Sequence, residues 1–304
     1  MRIILIGQAA FAEKVLAGLR DRGHDVVALY CPPDRPGAKP DPAKVLAVGL
    51  GIPVRQHASL KAPTVQREFA ELDADLGVLA YVTQIVPQPV IDTPRLTSIC
   101  FHPSLLPKYR GGSAIPWQLI KGETRTGVTV FWPDPGIDTG PILLQKTAAV
   151  GPDDTAGSLY YNTLFPLGIE AMLEAVDLIA VERAPRIPQD DASATYDPLC
   201  RDEHAAIDWS RPVQQVYNLI RGCDPQPGAY AVRKGEKIRC HDTRLATAVA
   251  VAPGIVAEVG DAGVVVGAAG GAIRIGRIRI GERKLAAAAA AAEIGLVVGS
   301  AIAS

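Results

Sequence analysis

The chain has 304 residues, of which 48% are hydrophobic and 21% are charged. That length predicts two domains, and that hydrophobic share excludes a disordered chain. A formal net charge of −1 excludes the overall basic field that attracts nucleic acid. The charge is uneven, because residues 206–284 carry 12 Lys and Arg against 7 Asp and Glu, a net of +5 that we interpret as surface scatter.

The five cysteines show neither a CxxC motif nor paired spacing, which predicts reduced thiols in a cytoplasmic protein. The first residues, MRIILIGQ, are too short for the apolar region of a signal peptide. Apart from the alanine-rich tail, no apolar run reaches about 18 residues, so we expect no membrane association.

The chain begins with a βαβ unit. A β-branched run at Arg2–Gly7 predicts a buried strand, residues 12–21 have helical spacing, and His24–Tyr30 predicts a second strand. The dinucleotide motif GxGxxG is absent, since only Gly7 is in place. We therefore expect no NAD binding.

Strands and helices alternate as far as about residue 150, which predicts a Rossmann-like, mostly parallel sheet with helices on both faces. Strands are predicted at Leu76–Tyr81, Leu96–Phe101, Thr126–Trp132 and Ile142–Val150, and a long helix at Ser158–Val181. Ligands of such sheets bind beyond the carboxyl ends of the strands. That rule places Gln8, Val82–Val86 and His102 around one crevice.

A polar, Pro- and Asp-rich linker at about 185–199 predicts a boundary between domains 1–199 and 200–304. Short strands between residues 229 and 280 then predict a small β-barrel. In the run Ile273–Ile280, a bulge at Gly276 would turn the isoleucines inward and the arginines outward. Seven alanines at 286–292 support no functional assignment.

The residues best suited to chemistry lie between Ser98 and Gln145. His102 ends a strand, Arg110 precedes two glycines, and Asp138 lies in the turn Gly136–Gly140. A histidine can stabilise an oxyanion by donating a hydrogen bond. A nearby carboxylate can favour the protonated imidazole or accept a proton from the attacking nucleophile. Each residue alone also fits a structural role, as a loop histidine or as an Asx turn. No GxSxG motif and no metal-ligand spacing accompanies them, so we expect neither a serine hydrolase nor a metal site.

Three motifs carry a family resemblance. HPSLLP at 102–107, RGG at 110–112 and GIDTG at 136–140 resemble the signature of 10-formyltetrahydrofolate-dependent formyltransferases, which include methionyl-tRNA formyltransferase. The likeness extends from Ile3 to about Ile280. It implies a catalytic, folate-binding N-terminal domain followed by an OB-like barrel.

The segments FHPSLLP and VFWPDPGIDTGPILLQK are most similar to the N-terminal hydrolase domain of 10-formyltetrahydrofolate dehydrogenases. No aldehyde dehydrogenase part is present in these 304 residues, so we do not expect the full dehydrogenase reaction from them.

The resemblance implies catalytic roles for His102 and Asp138. Cys100 stands where transferases of the family carry an asparagine that donates to the oxyanion, so its own role is left open between a thiol nucleophile and an inert buried thiol. Arg110 is a candidate contact for folate or acceptor. The implied folate-binding residues are Gln8, Val82, Gln84, Ile85, Val86, Ser104, Leu105, Pro107, Arg110, Gly136 and Ile137.

The expected activity is release of tetrahydrofolate from 10-formyltetrahydrofolate by transfer of the formyl group to water or a small amine, without metal or NAD. Formylation of methionyl-tRNA is one alternative. The short loop Cys31–Pro42 supports it weakly, because its two basic residues, Arg35 and Lys39, are balanced by two acidic residues, Asp34 and Asp41. A second alternative, motivated by Cys100, is a folate-binding regulatory protein without catalysis.

Overall fold

The structure is a computed structural model that describes residues 1–246 and 249–302. They form two compact units that interleave along the chain. The first contains residues 1–110, 127–148 and 163–196, and the second contains residues 111–126, 149–162 and the described residues from 197 onwards. The domain limits 1–199 and 200–304 stay a prediction.

The first unit is built on a seven-stranded sheet in the order β3-β2-β1-β4-β5-β6-β7. The strands β3, β2, β1, β4 and β5 pair in parallel, and β6 pairs antiparallel with β5. The strands are β1 (Arg2–Gly7), β2 (Asp25–Cys31), β3 (Val54–Gln56), β4 (Leu76–Ala80), β5 (Ser98–His102), β6 (Arg125–Phe131) and β7 (Ile142–Ala149).

Helices connect these strands and continue into the second unit. They are α1 (Ala9–Asp21), α2 (Pro42–Gly49), α3 (Pro63–Glu71), α4 (Gln88–Ile91), α5 (Ala114–Ile120), α6 (Ala156–Leu159), α7 (Phe165–Ala180), α8 (Val213–Gly222) and α9 (Ala287–Ile294).

The single long helix predicted at Ser158–Val181 is wrong in one respect. A π-helical turn at Tyr160–Leu164 separates α6 from α7. Pro166 lies in the first turn of α7, where its missing N–H costs no helical hydrogen bond. The α-helical ladder therefore restarts there instead of running through.

Helices cover both faces of the parallel sheet. Successive side chains of a strand point to opposite faces, so neighbouring apolar residues of one strand pack against different helices. On one face the Phe101 ring packs against Phe11 of α1, with 4.5 Å between ring centroids. On the other face Cys100 packs against a core that includes Val65 and Phe69 of α3. The predicted fold class, a mostly parallel sheet with helices on both faces and a separate antiparallel sheet, is confirmed.

The second unit contains that antiparallel sheet, in the order β10-β11-β12-β9-β8, with β13 paired to β12. Its strands are β8 (Tyr230–Arg233), β9 (Glu236–Leu245), β10 (Val256–Gly260), β11 (Gly263–Ala268), β12 (Gly271–Ile280) and β13 (Arg283–Ala286). The alanine run forms most of α9, as expected from the high helix propensity of alanine.

The predicted bulge at Gly276 is wrong in form. Ile275 pairs with Thr243 and Arg277 with His241, so β12 holds no extra residue relative to β9. Instead Asp242, between those two partners, adopts a left-handed φ of 54°. That local irregularity allows Ile275 and Ile278, three positions apart, both to be buried.

Within the described ranges, no helix is long and apolar enough to cross a membrane. The cysteines are free thiols, and the sulfurs of Cys200 and Cys223 lie 4.0 Å apart in the second unit.

Candidate active site

The candidate site lies at the carboxyl edge of the parallel sheet in the first unit. Leu79 of β4 pairs with Cys100 of β5, so the chain after β4 and the end of β5 emerge side by side. His102 is the last residue of β5, and the loop beginning at Tyr81 follows β4. This edge is where open α/β sheets bind ligands.

His102 is buried, with 5% of its surface exposed. Its Nε2 lies 2.7 Å from the carbonyl oxygen of Tyr109. Because a carbonyl only accepts, Nε2 must be the protonated nitrogen that donates. The other nitrogen, Nδ1, lies 3.4 Å from Oδ2 of Asp138. The backbone thus fixes the ring, and Nδ1 faces the carboxylate.

Asp138 is presented by a tight turn. Its φ of 56° is left-handed, a conformation that aspartate tolerates better than most residues. Gly140 is required by close approach, since a Cβ there would lie 1.8 Å from the Trp132 carbonyl oxygen. At Gly136 a Cβ would meet the Thr139 hydroxyl at 1.9 Å. The GIDTG pattern therefore codes for a turn that brings one carboxylate to His102.

The HPSLLP loop is held in place by hydrogen bonds to other protein groups. Ser104 is fully buried, and its hydroxyl donates to the Lys108 carbonyl oxygen over 2.6 Å. Thr129 of β6 donates to the Ser104 carbonyl oxygen and accepts from the Leu106 amide, over 2.7 and 3.1 Å. The side chain of Gln145 donates to the Leu106 carbonyl oxygen. The loop is therefore a preformed, apolar wall beside His102.

Cys100 points to the same face of β5 as His102, two residues away. Burial raises the pKa of its thiol above the usual range, and the negative charge of Asp138 raises it further. The thiol therefore stays protonated and is a weak nucleophile at neutral pH.

A small pocket of about 20 Å³ lies at the ends of β1, β2 and β4. Gln8, Val82 and Gln84, three of the predicted folate-binding residues, line it. Burial raises the pKa of Tyr30 to about 12 and that of Cys31 to about 11, so both remain neutral there. The other lining residues are Ile6, Gly7, Pro32, His57, Leu60, Tyr81 and Thr83, and the set contains no lysine or arginine.

The remaining predicted folate-binding residues fall into two groups. Ile85 and Ile137 are 73% and 59% exposed, which is unusual for isoleucine. Val86 is partly buried against the core of the sheet, while Leu105 and Pro107 are partly buried in the HPSLLP loop.

Arg110, predicted as a contact for folate or acceptor, is buried and hydrogen-bonded to other residues of the first unit. Only 7% of it is exposed, and its guanidinium bonds to Gln189 and Asp191. Its assignment as a contact for folate or acceptor stays a prediction.

Several residues of the site have no signal in the sequence. The Tyr109 carbonyl oxygen anchors His102, Thr195 accepts from the Tyr109 amide over 2.7 Å, and Gln189 contacts the Asp138 turn. A backbone carbonyl leaves no trace in a sequence, and Gln189 and Thr195 lie in the segment interpreted as a linker.

Among the described residues, no group of three His, Cys, Asp or Glu side chains could hold a metal ion together. The expectation of a reaction without metal or NAD stays a prediction.

Comparison with known proteins decides the family. Residues 1–176 match the family described as "Formyl transferase", and residues 200–294 match "Formyl transferase, C-terminal domain". The chain belongs to the formyl transferase family. It is an enzyme of the formyltransferase type, as the three motifs predicted.

Two curated relatives of this formyl transferase differ in coverage. Mitochondrial 10-formyltetrahydrofolate dehydrogenase of Mus musculus is 45% identical over 253 residues, which are 81% of this chain and 27% of the relative. Methionyl-tRNA formyltransferase of Geobacter metallireducens is 40% identical over 289 residues, 93% of this chain and 92% of the relative. The chain thus spans about a quarter of the mouse dehydrogenase.

Among solved structures, HypX from Aquifex aeolicus in complex with tetrahydrofolic acid is similar, with a TM-score of 0.72 and 22% identity. The match covers 98% of this chain and 48% of HypX. At that identity the likeness establishes the fold alone.

Proposed function

We propose that this formyl transferase takes the formyl group from 10-formyltetrahydrofolate and delivers it to water or a small amine, releasing tetrahydrofolate. The observation that carries the proposal is the His102–Asp138 pair. A buried imidazole with one nitrogen fixed on the backbone faces a carboxylate over 3.4 Å. Carbonyl transfer needs such a donor and such a proton acceptor.

The two residues divide the work. When Nδ1 of His102 is protonated, it donates to the formyl oxygen as negative charge develops there. The Asp138 carboxylate then accepts the proton released as water or the amine adds to the formyl carbon. As the adduct collapses, the bond between the formyl carbon and the folate nitrogen breaks, Asp138 returns the proton to that nitrogen, and tetrahydrofolate leaves with formate or the formylated amine as the other product. Because Nε2 stays bonded to Tyr109, the ring needs no reorientation during the reaction.

The wall of the site suits a flat, partly apolar donor. The HPSLLP loop is preformed by the Thr129 and Gln145 hydrogen bonds. Ile137, the neighbour of Asp138 in the chain, is 59% exposed and offers apolar surface on the same turn. HypX, which has the same fold, has been solved in complex with tetrahydrofolic acid, and this supports a folate donor.

Water or a small amine is favoured as the acceptor by Cys100. This residue stands where transferases of the family carry an asparagine, and burial keeps its thiol protonated. The departure from the transferase pattern favours the hydrolase-like branch that the sequence resembles.

Formylation of methionyl-tRNA is the second candidate. It is favoured by the Geobacter metallireducens relative, because the match covers 93% of this chain and 92% of that protein.

The deciding experiment mixes the purified chain with 10-formyltetrahydrofolate alone, with a small primary amine, or with methionyl-tRNA. Tetrahydrofolate and formate are quantified, with His102→Ala as the blank. Release without an acceptor, or only with the amine, supports the proposal. Release only with methionyl-tRNA supports the second candidate, and folate binding without release in any mixture indicates a binding protein without catalysis.

A further inference from the structure

Residues 185–196, interpreted from the sequence as a linker, lie along the first unit as an ordered segment that we call the strap. At its start Trp132 donates from Nε1 to the Pro185 carbonyl oxygen over 2.9 Å. Ile187 then pairs with Ile142 through two backbone hydrogen bonds of 2.8 and 2.9 Å. The strap therefore contacts the chain on both sides of the Asp138 turn, just after β6 and at the start of β7.

Gln189 connects the strap to the Asp138 turn. Its amide nitrogen donates to two carbonyl oxygens, those of Asp138 at 2.9 Å and Gly140 at 2.7 Å. Its amide oxygen accepts from Nε and Nη2 of Arg110, at 3.2 and 2.9 Å. Because Arg110 fixes the oxygen, the nitrogen can only point towards the turn.

The end of the strap holds the backbone that anchors His102. The Thr195 hydroxyl accepts from the Tyr109 amide over 2.7 Å, and the Thr195 carbonyl oxygen accepts from the Arg110 amide over 3.0 Å. The Tyr109 carbonyl oxygen is the partner of Nε2 of His102. The strap is thus bonded to the supports of both catalytic side chains.

We infer that Gln189 is a positioning residue that, with Arg110 behind it, sets the distance between His102 and Asp138. The inference rests on the proposed function for its catalytic consequence. Asp138 adopts a left-handed φ of 56°, a conformation that persists only where surrounding contacts hold it. The two hydrogen bonds from Gln189 are contacts of that kind, in addition to the bonds that Asp134 accepts from Gly136 and Thr139 within the turn.

The surroundings of Arg110 fit this role. A guanidinium that is 93% covered needs partners for its charge, and it has them in Gln189 and in Asp191, 2.8 Å away. Asp191 is 83% exposed at its side chain, so the pair lies at the outer side of the strap. The planar, two-pronged contact is one that lysine cannot reproduce.

The test compares Gln189→Ala and Gln189→Glu with wild type. The first variant removes the whole clamp. The second keeps an acceptor for Arg110 but cannot donate to the two carbonyl oxygens. Gln118→Ala is the matched control, because Gln118 is a buried glutamine of the second unit that accepts from Thr126 and lies outside the site.

Both Gln189 variants are expected to lower kcat about 10- to 100-fold, the scale expected when catalytic groups are slightly misplaced. The dissociation constant for tetrahydrofolate should change less than about threefold, since the clamp holds the reacting groups and not the donor. Hydrogen–deuterium exchange of the peptide spanning residues 132–141 should accelerate in both variants. The control should match wild type in kcat and in exchange of this peptide.

Wild-type kcat in Gln189→Glu, or unchanged exchange in both variants, would overturn the inference. Faster exchange with unchanged kcat would also overturn it, because the turn would then move without consequence. If wild type itself releases no tetrahydrofolate, the proposed function fails, and the exchange data still decide whether Gln189 holds the turn.

Discussion

At the scale of single residues, the site depends on which nitrogen of His102 is free. The Tyr109 carbonyl oxygen occupies Nε2, which leaves Nδ1 for chemistry beside Asp138. The roles can therefore be separated by substitution, since removing either side chain leaves the HPSLLP loop and its hydrogen bonds in place.

We expect His102→Ala and Asp138→Ala each to lower turnover of 10-formyltetrahydrofolate by at least about 100-fold, the usual contribution of a general acid or base. Tetrahydrofolate binding should stay within a few fold of wild type, because the wall of the site is built by other residues. Stopped assays of formate release and titration calorimetry measure the two quantities. Near-normal turnover in either variant would remove that residue from the mechanism.

Cys100 gives the opposite prediction. Burial and the neighbouring Asp138 raise the pKa of its thiol, so the group stays protonated throughout the neutral range. Cys100→Ala should therefore keep turnover within about threefold of wild type, and iodoacetamide should label Cys100 slowly up to about pH 8.5, the usual cysteine pKa. A loss of about 100-fold would instead assign the thiol a direct chemical role.

At the scale of elements, a buried hydrogen bond joins the segment after α8 to β9 in the second unit. Nδ1 of His241 lies 2.9 Å from Oδ1 of Asp224, and the Asp242 amide donates to Oδ2 over 3.1 Å. Burial raises the pKa of Asp224, but these hydrogen bonds lower it more, so the net pKa lies below the usual aspartate value. The charged form is therefore stabilised by folding.

The sign of the pH dependence follows. The contribution of Asp224 to the free energy of unfolding is complete above about pH 3.9, the usual aspartate pKa, and is lost as the pH falls through the lower folded-state value. Asp224→Asn should cost about 1–3 kcal/mol at neutral pH, with a smaller difference at about pH 3. Urea unfolding at both values measures this, with the exposed Asp261→Asn as control. An equal cost at both pH values would contradict the argument.

The sequence could predict local features of these elements but not the contacts between segments that are distant along the chain. Apolar runs ending at His102 predicted β5 and its place at the carboxyl edge, because strand burial is a local property. Gln189 could not be found in this way, since its partners Asp138 and Arg110 are 51 and 79 positions away along the chain. The protein partners of Arg110 could not be predicted for the same reason, since Gln189 and Asp191 lie 79 and 81 positions away along the chain.

At the scale of the whole molecule, charge bears on the choice of acceptor. The net charge is −1, and part of the basic excess of residues 206–284 is paired within the second unit. Lys237 and Arg239 both contact Asp202, and Arg274 contacts Glu258. These ion pairs favour the interpretation of the excess as ordinary surface charge.

We therefore expect no saturable binding of tRNA at protein concentrations up to about 10 µM at 150 mM salt. Nonspecific binding at such salt has dissociation constants of about 1–100 µM. Fluorescence anisotropy with labelled tRNA, repeated at about 50 and 200 mM salt, measures it. Tight binding that falls steeply with salt would contradict this expectation and favour the methionyl-tRNA candidate.

The strap also decides how the protein can be cut for study. The match to the first of the two family domains ends at residue 176, which suggests an expression fragment that stops there. Such a fragment would retain both His102 and Asp138 but would lack Gln189 and Thr195. We expect this fragment to be inactive because it lacks the strap, although both catalytic side chains are present. A fragment ending after residue 196 would keep every hydrogen bond of the strap to the first unit.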